Sequence, residues 1–94
     1  MKPVLKRTDS GIDYIENVSF WELMRITDNP LPICDECLKD LIGFEDVVII
    51  PILNEAICKS CSKKVLERLV GYPEDRKIQR ERTNYYCSVL NVER

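Results

Sequence analysis

NEAICKSCSKKVLERLVGYP, residues 54–73, sets a C-x-x-C pair directly ahead of a helix pattern. From Ser60 onward Val65, Leu66, Leu69 and Val70 recur at helical spacing, and Gly71 stands where a helix C′ residue would. CDEC, residues 34–37, is a second pair of the same kind, separated from the first by 20 residues. A two-residue gap lets one tight turn bring both thiolates to a single ion at about 2.3 Å, and two such pairs complete a tetrahedron. Cys34, Cys37, Cys58 and Cys61 are therefore the candidate ligands of one structural zinc ion. Such a cage leaves no coordination position open, so the ion supports the fold and not a reaction, and its binding becomes folding free energy. The positive end of the helix that follows Cys58 favours thiolates.

The rest of the chain can be read outward from these pairs. Residues 46–53 form a continuous β-branched, apolar run that predicts a strand, with Pro51 placing it at an edge or a bulge. Asn54 and Glu55 fit a two-residue turn and residues 56–58 a return strand, which makes a hairpin between the cysteine pairs. Residues 38–44 read as a turn or a short helical piece stopped by Gly43. Downstream, Pro73, Glu74 and Asp75 open a last helix over residues 72–92, with Ile78, Tyr85, Tyr86 and Val89 on one face. Arg76, Lys77 and Arg80 fall on the other face. Cys87 projects near Arg76 and Arg80, away from the apolar stripe, and reads as a spare small residue, or one packed against a neighbouring element, with no base to activate it. Upstream, residues 1–12 look weakly structured. Ser19 and Glu22 fit a capping box for a short helix over residues 20–26, ended by Asp28, Asn29, Pro30 and Pro32. Phe20 and Trp21 are expected in the core.

A chain of 94 residues is one small domain that buries about 60–65% of its unfolded surface. At 45% apolar residues it is too hydrophobic to stay disordered, and a metal staple suits its modest core. The longest apolar run, VVIIPIL at 47–53, is far short of the ~20 residues of a membrane span. The first residues, MKPVLKRTDSGID, carry no apolar signal core, so a cytoplasmic setting is expected, where paired cysteines point to metal before disulfide. The absence of histidine excludes Ser-His-Asp and Cys-His couples and any imidazole ligand, and no enzyme activity is expected. The net charge of −2 divides into −6 over residues 1–57 and +4 over residues 58–94.

The knuckle, hairpin and helix over residues 32–70 resemble a treble-clef zinc finger. In spacing they are similar to GATA-type fingers and to the finger of the DksA/TraR group. The fold class expected is α+β: a zinc-stabilised module at 32–70, an N-terminal segment at 1–31 with its short helix, and the amphipathic helix at 72–92. Leu38 and Ser62 stand where a glycine usually follows the second knuckle cysteine, which argues against a rubredoxin-like iron site. A histidine-free, Lys- and Glu-rich chain with CDEC and CKSC pairs also resembles the small zinc proteins of phages, among them anti-CRISPR metalloproteins aimed at the Cas9 nuclease. That resemblance implies a non-enzymatic inhibitor working by protein–protein contact in the host cytoplasm. Asp35, Glu36, Asp40, Glu45 and Asp46 are then the candidate contact residues, by charge complementarity with a basic partner. The alternative is a nucleic-acid-binding regulator using Arg76, Lys77, Arg80 and Arg82 on the phosphate backbone, although a DNA reader of this size is normally basic overall.

The ligand assignment predicts that Cys34→Ser or Cys61→Ser unfolds the middle of the chain while Cys87→Ser is tolerated. Thermal melts with and without chelator check this, and equal damage at all five cysteines would contradict it.

Overall fold

A computed structural model describes residues 2–26 and 32–93. The expected helix-ending residues Asp28, Asn29 and Pro30 lie outside the described residues. The fold is a small α+β arrangement built on a four-stranded antiparallel sheet in the order β1-β2-β3-β4. The strands are β1 (Val4–Arg7), β2 (Asp13–Val18), β3 (Val47–Ile50) and β4 (Glu55–Ile57). Helices α1 (Phe20–Leu23), α2 (Lys59–Arg68) and α3 (Arg76–Leu90) complete it. β3 is buried along its whole length, which explains its unbroken apolar sequence.

The start of the chain differs from expectation. β1 and β2 form a hairpin, with Leu5 opposite Ile15 and Arg7 opposite Asp13. Gly11, at φ +93°, makes the tight corner that joins them. Asn17 adopts φ +61° where the β2–β3 register shifts, and this bulge turns both Ile15 and Val18 inward although they are three residues apart. α1 carries the expected capping box, with the Ser19 hydroxyl accepting from the Glu22 N–H and the Glu22 carboxylate accepting from the Ser19 N–H. Its helical span is four residues, and only Leu23 of it is buried. Trp21, expected in the core, is instead 77% exposed and meets the Phe20 ring edge-on.

The central hairpin forms, with a different turn. β3 stops at Ile50, because Pro51 cannot donate to the ladder and opens a single 3₁₀ turn, Pro51–Leu53. Asn54 closes that turn in the left-handed conformation, and the return strand is Glu55–Ile57. α2 ends at Arg68, and Gly71 is not its left-handed cap. Gly71 is required by close approach: its N–H donates to the Ser10 carbonyl at 3.0 Å, and a Cβ there would lie 2.4 Å from the same oxygen.

The last helix, expected over residues 72–92, is shorter: Pro73–Asp75 form a 3₁₀ turn, α3 runs Arg76–Leu90, and its buried face is rotated by about one residue, or 100°, from the one expected. Its buried face is Gln79, Thr83, Cys87 and Leu90, while Ile78 and Tyr85 are exposed. The cause is Asp13, which points into the interior and needs donors. Arg7 Nε donates to one carboxylate oxygen at 2.7 Å and Thr83 Oγ1 to the other at 3.0 Å. Gln79 accepts from the Asp13 N–H and donates to the Gly11 carbonyl, so α3 is keyed to the β1–β2 corner by polar groups with every partner in place. Cys87 is consequently inside the core, and the expectation that Cys87→Ser is tolerated is revised, since the substitution places a more polar group in buried surroundings. No helix among the described residues is long and apolar enough to cross a membrane.

Gly71→Ala is expected to destabilise the protein by about 1–3 kcal/mol, because the added methyl drives the α2–α3 connection off the β1–β2 corner. A urea melt measures the change, and an unchanged midpoint would refute the close-approach reading.

Candidate metal centre

Cys34 to Cys37 occupy a knuckle pinned at its base. The Cys34 N–H donates to the Lys39 carbonyl and the Leu38 N–H to the Cys34 carbonyl, both at 2.8 Å, and Ile33 bridges Asp40. Cys58 is the residue before α2, and Cys61 lies in the first turn of that helix. The hairpin β3–β4 spans the sequence gap, so the two pairs meet. The four sulfur atoms all lie within 4.8 Å of one another, and Cys37 Sγ is 3.8 Å from Cys58 Sγ. A tetrahedral cage with 2.3 Å metal–sulfur bonds has edges of about 3.8 Å.

Backbone groups converge on the sulfurs as well. Cys34 Sγ accepts from the N–H groups of Glu36, Cys37 and Cys58 at 3.3–3.5 Å. Cys34, Cys58 and Cys61 are buried and Cys37 is exposed, which gives an ion a route in at one corner. The donor set, its closeness and its amide neighbours fit a four-thiolate metal site of the kind zinc occupies.

The ionisation of the cluster follows from its crowding. Burial pushes the Cys58 thiol up, but hydrogen bonds from Ser60 Oγ at 3.1 Å and from the Cys61 and Cys34 thiols outweigh it and bring the group down to about 6. Cys61 is pushed up to about 12, first by donating to Cys58, then by burial and by its bonds to Cys37 and Cys34. Four thiols this close cannot all ionise without a cation between them.

The acidic candidates divide by what they touch. Asp35 seals the outer edge of β4: its N–H donates to the Ala56 carbonyl at 3.0 Å and its carboxylate accepts from the Ala56 N–H at 2.9 Å. Glu36 takes a two-pronged bond from Arg68 at 3.0 and 3.1 Å, with Lys64 Nζ at 3.8 Å. The Arg68 bond holds its carboxyl below the usual range against the opposing effect of burial. Glu55 is shifted up, by burial and by the carboxylates of Asp35 and Glu36. Asp40, Glu45 and Asp46 are exposed on the loop beyond the knuckle.

The basic candidates divide too. Arg82 donates to the Ile52 carbonyl and is half-buried, whereas Arg76, Lys77 and Arg80 are exposed. The knuckle-locking roles of Asp35 and of the Glu36–Arg68 pair are not legible in the sequence, since their partners lie 21 and 32 residues away. Comparison with protein-family profiles, with curated proteins and with solved structures finds no match to this chain.

Thiols bind metal only as thiolates, so the ion displaces protons. Between pH 6 and 12 at least the Cys61 proton must leave, and below 6 the Cys58 proton as well. Metal affinity is therefore expected to fall by at least about tenfold per pH unit on acidification from neutrality and more steeply below about pH 6. A competition titration with a chromophoric chelator across pH 5–8 measures this slope, and a flat profile would refute thiolate ligation.

Proposed function

We propose that this chain is a non-enzymatic binding module whose four-cysteine cluster holds one structural zinc ion and whose knuckle loop engages another protein. Four sulfur donors around one ion leave no place for water or substrate, which speaks for a staple and against metal catalysis. The order of knuckle, hairpin and ligand-bearing helix agrees with a treble-clef reading of residues 32–70.

One observation carries the binding role. Leu38 sits at φ +65°, a conformation that costs a branched residue about 1 kcal/mol or more, and it is 68% exposed. Glycine would satisfy the turn without that cost, so packing inside the protein does not account for the leucine. Ile42, four residues on, is also exposed, and Asp40, Glu45 and Asp46 surround the two in sequence. An apolar centre with an acidic rim fits a partner that offers an apolar pocket among basic groups. Within that class, the resemblance to anti-CRISPR metalloproteins makes a phage-encoded inhibitor of Cas9 the finer reading.

Size-exclusion chromatography of the zinc-loaded protein with purified Cas9 tests both levels. The expected result is co-elution that weakens with salt, and a loss of affinity of about tenfold or more in Leu38→Gly and Ile42→Ser. Leu38→Gly is expected not to lower the melting temperature, which separates lost contact from lost fold. Absence of a complex with Cas9 would remove the finer reading, and a complex indifferent to both substitutions would remove the loop assignment.

A further inference from the structure

Far in sequence from the knuckle loop, a cleft of about 410 Å³ is lined by Arg7, Gly11, Asp13, Arg76, Gln79 and Arg80. Three arginines and one aspartate are among its lining residues. Asp13 is 2% exposed and both of its oxygens are already bonded, to Arg7 and to Thr83. Arg76 and Arg80 stand one turn apart on α3, and neither has an ion-pair or hydrogen-bond partner among the described residues. The fold thus gathers an excess of two positive charges at one place on a chain whose net charge is −2. Low-dielectric walls concentrate such a field in a cleft.

A second cleft of about 270 Å³ runs on from the first, sharing Gly11, Arg76 and Gln79 with it. Its remaining walls are mainly apolar, from Ile52, Leu69 and Val70, with one carboxylate residue, Asp75, and with Tyr72 at the rim 56% exposed. An anion pocket next to an apolar slot with an aromatic edge suits a ligand that joins a doubly charged group to a flat ring.

We propose that this composite cleft binds a nucleoside 5′-monophosphate group, with the phosphate monoester on Arg7, Arg76 and Arg80 and the base against Tyr72. A monoester carries close to two negative charges at neutral pH, matching the excess among the residues lining the first cleft, where a single carboxylate or an internal phosphodiester supplies one; Asp75 lines the second cleft, on the side of the uncharged base. Guanidinium forks match phosphate oxygens in pairs, and an exposed aromatic face takes any base without reading its sequence. The group has two sources, a free nucleotide or the 5′-phosphorylated end of a nucleic-acid strand. The site is independent of the knuckle loop and of whatever partner that loop takes.

Calorimetry and fluorescence anisotropy on the zinc-loaded full chain test the proposal. Adenosine 5′-monophosphate is expected to bind where adenosine does not. Arg76→Glu and Arg80→Glu are each expected to weaken binding about tenfold or more with unchanged thermal melts, since neither side chain holds the fold together. Tyr72→Ala is expected to weaken the nucleotide and leave inorganic phosphate unaffected. A 5′-phosphorylated decanucleotide binding better than its 5′-hydroxyl twin assigns the strand end as a source. Nucleotide binding without that preference supports the site and assigns the free nucleotide. Failure of adenosine 5′-monophosphate to bind at millimolar concentration, binding that survives both arginine substitutions, or stronger binding of a glutamate-rich or phosphoserine peptide would each overturn it.

Discussion

The meeting of two distant thiol pairs is the constraint on which the rest depends. Cys34 and Cys37 belong to the knuckle loop, and Cys58 and Cys61 to the start of α2. Without something at their centre, four thiols within 4.8 Å of one another face a choice between mutual repulsion and retained protons. The opposite displacement of Cys58 and Cys61 is the mark of that conflict. A divalent ion removes it. The surrounding bonds then act together: Asp35 locks the knuckle to β4, and Glu36 locks it to α2 through Arg68. Each of these contacts is modest and partly exposed, so their worth lies in closing one arrangement around the sulfurs.

The opposite end of the sheet is organised on a different principle. There the connection between strands and helix is a buried carboxylate with its donors. Asp13, Thr83 and Gln79 decide which face of α3 turns inward. Replacing such a network by apolar groups can be neutral in stability, whereas removing one member leaves another unsatisfied. The network therefore acts mainly on orientation. It also sets Arg76 and Arg80 along the cleft beside Arg7.

How much of this is legible in the sequence follows from the range of the forces involved. The cysteine pairs, the apolar run of β3, the capping box at Ser19 and the helix after Cys58 all announce themselves within a few residues, and each is present in the structure. What escapes a local reading depends on contacts across the chain. The β1–β2 hairpin reads as loose because the bulge at Asn17 breaks the alternation that marks a strand, although the TDSG stretch at 8–11 is an available turn signal. The rotation of α3 does not show in its own apolar stripe, because a polar residue 66 positions upstream determines it. Gly71 looks like a helix cap and proves to be a point where two loops touch. At the candidate metal centre the four cysteines that could hold an ion are evident from spacing alone, while Asp35, Glu36 and Arg68 carry no local pattern.

The seal that Asp35 places on β4 has a consequence for the behaviour of the sheet in a crowded cell. One side chain and its own amide occupy both outward-facing backbone groups of Ala56, so a passing extended chain finds no open ladder to join on that side. On the far side β1 ends in Lys6 and Arg7, cations that discourage a neighbour's strand from docking in register. A small sheet with a fully apolar central strand would otherwise invite polymerisation. Here the loop that presents the metal ligands also keeps the sheet finite.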